Sequence, residues 1–142
     1  MSKIYQLYSF SDLTAIEFSP DGLNLAVGNK EGKVSVYDLR YPVPLFNIKH
    51  SYKLPIKKIK FHNYSQNIIT VDKKIAKYSN MKTGKAYTNI ETKNDINDFD
   101  CFENSGLNFV TLHNNNSLLA KKKKCKFISS QVLVQHLLSA HF

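Results

Sequence analysis

An all-β fold assembled from β-propeller blades is predicted by three observations. A motif recurs at intervals of about 40 residues, each copy breaks into short runs of alternating apolar and polar side chains, and Gly, Asn and Asp turns separate the runs. Ile16-Glu17-Phe18-Ser19-Pro20-Asp21-Gly22 opens the first copy, Ile59-Lys60-Phe61-His62 opens the second 43 residues later, and Phe99-Asp100-Cys101-Phe102 opens the third 40 residues after that. A blade is a small four-stranded sheet that buries both faces against its neighbours, so a closed propeller of seven blades needs about 280 residues. The 142 residues here correspond to a propeller fragment of about two and a half blades. The expected divisions are a lead-in strand (1–13), a blade (14–50), a second blade (51–94), a partial blade (95–119), and a basic tail ending in a short apolar segment (120–142).

In the first copy, Ile16 and Phe18 alternate with Ala15 and Glu17. Pro20-Asp21-Gly22 then makes a turn, since proline presets one backbone angle and glycine accepts a positive φ. Leu23, Leu25 and Val27 alternate as a strand with one buried face should. Gly28-Asn29-Lys30-Glu31-Gly32 is expected to reverse the chain into Val34-Ser35-Val36-Tyr37-Asp38, and after Tyr41-Pro42-Val43-Pro44 the run Leu45-Phe46-Asn47-Ile48 forms the outer strand.

The second copy repeats the order with Pro55 to Phe61, Asn67 to Val71, Ile75 to Tyr78, a turn at Thr83-Gly84-Lys85, and Ala86 to Ile90. The third supplies two recognisable strands, Ile96 to Phe102 and Asn108 to Leu112, around the turn at Asn104-Ser105-Gly106. Beyond Asn114-Asn115-Asn116 the lysine-rich segment offers no matching strand.

Val34-Ser35-Val36-Tyr37-Asp38-Leu39-Arg40 resembles the signature end of a WD40 repeat, with Tyr in place of Trp. More narrowly, Ala26-Val27-Gly28, Tyr37-Asp38-Leu39-Arg40 with Pro44-Leu45, His50, Tyr52, Leu54-Pro55-Ile56-Lys57, Gly84-Lys85, Asp95-Ile96-Asn97-Asp98 and Asn104-Ser105-Gly106 resemble, in order and spacing, the family of nucleolar protein ten and yeast essential nuclear protein two. The likeness runs from about Leu13 to Leu112 and corresponds to the last blades of a propeller. It implies a non-enzymatic scaffold of the small-subunit processome, in the nucleus and nucleolus, with ribosome-assembly proteins and pre-ribosomal RNA as partners and no cofactor. The repeat-signature residues it marks are Asp21, Gly22, Gly28, Tyr37, Asp38, Leu39, Arg40, Pro55, Gly84 and Gly106. The chain departs from the family in lacking the earlier blades, in the region after Leu118, and at Ser79-Asn80, where an aromatic followed by a polar residue is expected. Tyr78 is the expected substitute for that aromatic.

Composition suits a folded domain: 42% of residues are hydrophobic and 12% aromatic. With no N-terminal apolar run and no stretch near the roughly 18 residues that cross a bilayer, neither the secretory route nor a membrane is expected. Cys101 and Cys125 have no partner spacing, so neither a disulfide framework nor a zinc site is read from them.

The net charge of +9 is unevenly placed: residues 1–50 balance five basic against five acidic side chains, whereas residues 51–95 carry ten and three. Lys53, Lys57, Lys58 and Lys60 cluster at the start of the second blade as candidates for neutralising an RNA phosphate backbone or contacting a partner. The alternative is a solvated strand face that has drifted to lysine, since no aromatic motif interleaves with these residues. Lys121, Lys122, Lys123 and Lys124 form a second candidate patch, readable as a nuclear localisation signal, a nucleic-acid contact, or translated intron. Val132, Leu133, Leu137 and Leu138 are spaced like one face of a short helix.

No catalytic constellation is found. His50, His62, His113, His136 and His141 lack nucleophile partners at motif spacing, and His50 fits a loop entering the second blade. Asp95, Asp98 and Asp100 lack the glycine and closing glutamate of an EF-hand, so a solvated turn is expected. The five glycines all read as turn residues, and no phosphate loop is present. Three functions follow: a ribosome-assembly scaffold, a WD40 protein-interaction module unconnected with ribosomal RNA, or a partial gene product without independent function.

Overall fold

In the computed structural model the described residues are 9, 11–62, 66–101, 107–113, 118–122 and 127–128. They form twelve strands in three antiparallel sheets of four, each sheet in simple sequence order. The first holds β1 (Leu13–Phe18), β2 (Asn24–Asn29), β3 (Lys33–Asp38) and β4 (Pro44–Lys49). The second holds β5 (Lys58–His62), β6 (Asn67–Val71), β7 (Ile75–Asn80) and β8 (Ala86–Glu91). The third holds β9 (Ile96–Cys101), β10 (Leu107–His113), β11 (Leu118–Lys122) and β12 (Phe127–Ile128). The first strands of the sheets are neighbours, β1 beside β5 and β5 beside β9, which is the radial arrangement of propeller blades. The all-β, blade-built fold expected from the repeats is the fold observed.

Register assigns each strand residue to a face. Ala15, Gly28, Val34 and Ile48 lie in one cross-strand row and Glu17, Ala26, Val36 and Phe46 in the next on the same face. These rows meet Ile56, Ile59, Phe61 and Ile68 of the second blade in one buried cluster. On the opposite face of the second sheet, Ile69, Val71, Ala76, Tyr78 and Ile90 pack against Ile96 and Phe99 of β9. The hydrophobic core is therefore the pair of inter-blade gaps. The other face of the first sheet has no such cover among the described residues: Ile16 is 63% and Phe18 56% exposed on β1, and Leu45 is exposed on β4.

Loops repeat as faithfully as strands. The amide of Ile56 donates to the Asn29 carbonyl and that of Ile96 to the Lys73 carbonyl, while His50 and Thr92 donate to the carbonyls of Gly32 and Lys74. Each pair ties the segment entering a blade to the turn between the second and third strands of the preceding sheet. The register shifts at Val36/Tyr37 and at Tyr78/Ser79, so the third-to-fourth strand bulge recurs in the first two blades.

Three expectations need correction. Where two strands were expected in the third copy, the backbone carries four: β11 pairs with β10 through Thr111–Leu119 and Leu112–Leu118, and β12 pairs with β11 through Lys121–Phe127. Their sequences lack alternation of their own, and β11 takes its strand form from the edge of β10 and β12 from that of β11. Gly28 lies inside β2, not in a turn. Tyr78 also does not stand in for the missing aromatic, because alternate residues point to opposite faces. Ser79 shares its row with Phe61 and Ile68 toward the first blade, whereas Tyr78 faces the third. On the Ser79 side the gap takes Phe46 and Met81, and Ser79 Oγ is buried without a hydrogen-bond partner among the described residues. Gly106, Lys123, Lys124, Cys125, His136, His141 and the apolar segment at 132–138 lie outside the described residues.

Candidate functional site

The loop joining β4 to β5 carries His50 into a buried polar cluster with Thr70 and Asp72. His50 Nδ1 lies 2.8 Å from Asp72 Oδ2, and His50 Nε2 lies 2.8 Å from Thr70 Oγ1. All bonds are satisfied by a neutral imidazole whose Nδ1–H donates to Asp72 and whose Nε2 accepts from the Thr70 hydroxyl. Asp72 Oδ1 also accepts from the amides of Lys74 and Ile75, closing the β6–β7 turn. Burial alone would raise the Asp72 pKa, but the bonds from His50 and the two amides outweigh it and hold the carboxyl below its ordinary value. This trio has the atom order of a hydrolytic relay, yet Thr70 is 0% exposed, leaving its oxygen no access to a substrate. It acts as a strut locking the entry loop to the second sheet. Sequence reading placed His50 in this loop and missed Thr70 and Asp72, whose only signal was Asp at the head of a two-residue turn.

The signature residues serve the same end. Asp21 accepts from the Leu23 amide, Ser19 Oγ donates to it, and Gly22 follows at φ +74°. The Arg40 guanidinium folds back on Asp38, with Nη2 2.6 Å from Oδ2, and the Arg40 amide adds a further bond to Oδ1. That clamp lowers the Asp38 carboxyl to about 2. Leu39 is exposed and donates its amide to the Leu23 carbonyl, Tyr37 is half-buried on the uncovered face, and Pro55 precedes the buried Ile56. Gly84, at φ +72°, lets Phe46 lie against its backbone.

The expected lysine cluster is divided by the third blade. Lys58 Nζ pairs with Asp98 at 2.8 Å and donates to the Phe99 carbonyl, Lys60 pairs with Asp100, and Lys57 Nζ donates to the Ile96 carbonyl. The bond from Lys58, with that from the Phe99 amide, lowers the Asp98 pKa. Asp95 takes Lys73 and Lys74, so the three aspartates read as a group each answer different lysines. No cluster of metal-ligating side chains occurs among the described residues. Lys53 stands apart in the entry loop at φ +52°, and Lys121 and Lys122 end β11. No helix among the described residues is long and apolar enough to cross a membrane.

Residues 2–118 match the family model described as the Nucleolar protein 10-like, N-terminal domain. The chain belongs to this family. It is 44% identical over 88 residues to Nucleolar protein 10 of Xenopus tropicalis, covering 62% of this chain and 13% of that protein. With human Nucleolar protein 10 it shares 36% identity over 102 residues (72% and 15%), and with the ribosome biogenesis protein enp2 homolog of Schizosaccharomyces pombe 32% over 99 residues (67% and 16%). The chain thus spans about one-seventh of the length of these relatives. Among solved structures, the Cps50 (Swd1) β-propeller domain of Myceliophthora thermophila superposes with a TM-score of 0.74 at 13% identity, over 87% of this chain and 38% of that one. A chain of the mitotic checkpoint complex superposes at 0.70 with 18% identity, over 82% and 37%. At those identities the likeness is one of fold.

Proposed function

We propose that this chain is the blade region of a non-enzymatic nucleolar scaffold that acts in pre-ribosomal RNA processing and small-subunit assembly. The family match over residues 2–118, with relatives named for ribosome biogenesis, carries the reading. Its polar clusters are consistent with a scaffold, since His50, Thr70, Asp72, Asp38 and Arg40 are consumed in holding loops and blades together. The uncovered face bearing Ile16, Phe18 and Leu45 fits another blade, supplied by a longer form of the protein or by a partner. Under this reading the chain, expressed with an epitope tag in its own cells, sediments with pre-ribosomal particles on a sucrose gradient, and its depletion makes small-subunit rRNA precursors accumulate. A tagged chain confined to the top of the gradient, with precursor levels unchanged, would favour an interaction module unconnected with ribosomes.

A further inference from the structure

Lys33 and Lys49 are direct cross-strand partners in β3 and β4, an arrangement that repels unless an anion lies between or beside them. Neither ammonium forms an ion pair with a described residue. Lys53 joins them from the entry loop. Its position is held because Gly32, at φ +77°, lacks the Cβ that would lie 3.0 Å from the Lys53 Cα and 2.9 Å from the Leu54 carbonyl oxygen. These three lysines, with Glu31, Gly32 and His50, line an open cavity of about 470 Å³. Glu31 is the only carboxylate among the described lining residues, while Lys77 reaches across from the second sheet to donate to the Lys49 carbonyl and adds positive charge at the same edge. Tyr52, one residue before Lys53, is 51% exposed, with its hydroxyl held by Glu91.

We infer that this lysine-lined cavity is a binding site for single-stranded RNA, in which Lys33, Lys49 and Lys53 take backbone phosphates and Tyr52 offers its ring to a base. The site deepens the ribosome-assembly reading and rests on it for the choice of RNA. The lysines alone would suit an acidic peptide equally, but an exposed aromatic one residue from a lysine of a cationic cavity is the pairing that single strands use. None of the groups lining the cavity is arranged to read base edges, so contact is independent of sequence.

The test is fluorescence anisotropy of a labelled twelve-nucleotide oligouridylate with the full 142-residue chain. The triple variant Lys33→Gln/Lys49→Gln/Lys53→Gln is expected to weaken binding about tenfold or more, and to flatten the slope of log affinity against log salt by about 2, three phosphates at about 0.7 each. Tyr52→Leu should weaken binding about fivefold or more, whereas Tyr52→Phe retains it. Lys82→Gln/Lys85→Gln, on the opposite loop edge, is the control for the double variant Lys33→Gln/Lys49→Gln, each losing two charges, and far-ultraviolet circular dichroism checks that every variant keeps its sheets. The single variant Lys49→Gln serves if the triple does not fold, with a slope change of about 0.7. The inference is overturned by undiminished binding in the lysine variants, by equal weakening in the control, or by polyglutamate displacing the RNA at equal charge concentration. If the chain enters pre-ribosomal particles but its RNA binding ignores these lysines, this inference alone fails. If binding needs the lysines while the chain stays out of the particles, the assembly reading fails and the site stands.

Discussion

Ile56 rests on the bare backbone of Gly28: a Cβ built on that glycine would lie 2.6 Å from Ile56 Cγ2 and 2.7 Å from its Cβ. The β4–β5 loop is drawn in so far that Ile56 is fully buried, and Thr14 Oγ1 donates to its carbonyl at 2.6 Å. A side chain at position 28 would push the two blades apart.

Gly28→Ala is therefore expected to destabilise the fold by about 1–3 kcal/mol through overpacking. Gly22→Ala meets no atom within 4 Å, so its effect comes from the left-handed backbone alone and should be near 1 kcal/mol. Urea unfolding of the two variants separates a packing glycine from a turn glycine. Equal losses would contradict the close approach at Gly28.

Asp72→Ala should cost about 3–5 kcal/mol, because the buried His50 Nδ1–H and the amides of Lys74 and Ile75 all lose their acceptor. Thr70→Val should cost less, about 1–3 kcal/mol, by leaving His50 Nε2 without its donor. Hydrogen exchange at the Ile56 and Lys57 amides is the local readout, and both variants should speed it.

The Asp38 carboxyl, held at about 2 against an ordinary 3.8, gives a pH dependence whose sign is fixed. A depressed folded pKa contributes stability above the unfolded value and loses it as pH falls from about 4 through 2. Arg40→Ala should return the Asp38 carboxyl toward 3.8, read by carboxyl carbon chemical shifts during an NMR titration. An unchanged midpoint would show that the Arg40 amide holds the carboxylate without the guanidinium.

Lys58→Ala and Lys60→Ala should each cost under about 1 kcal/mol, since their pairs with Asp98 and Asp100 are largely open to solvent. Their effect should instead appear as faster hydrogen exchange in β9, growing with salt in the parent chain. Loss of RNA binding in these two variants with β9 exchange unchanged would restore them to a phosphate-binding role.

Ten strands and the repeat were legible because alternation and turn chemistry act within a few residues. Ile16, Phe18, Leu25 and Val27 declare a strand before any partner is known. β11 and β12 were not legible, since Leu118-Leu119-Ala120-Lys121-Lys122 has no period of its own and is a strand by pairing with β10. Sequence by itself determined the blade architecture and the loop that carries His50. Tertiary structure decided which face Ser79 and Tyr78 take, that Thr70 and Asp72 complete the strut, and that Lys58 and Lys60 meet carboxylates 40 residues away while Lys33 meets Lys49. The physical reason is that backbone conformation follows local sterics and periodicity, whereas a charge takes its partner from strand register and blade stacking between segments far apart in the chain.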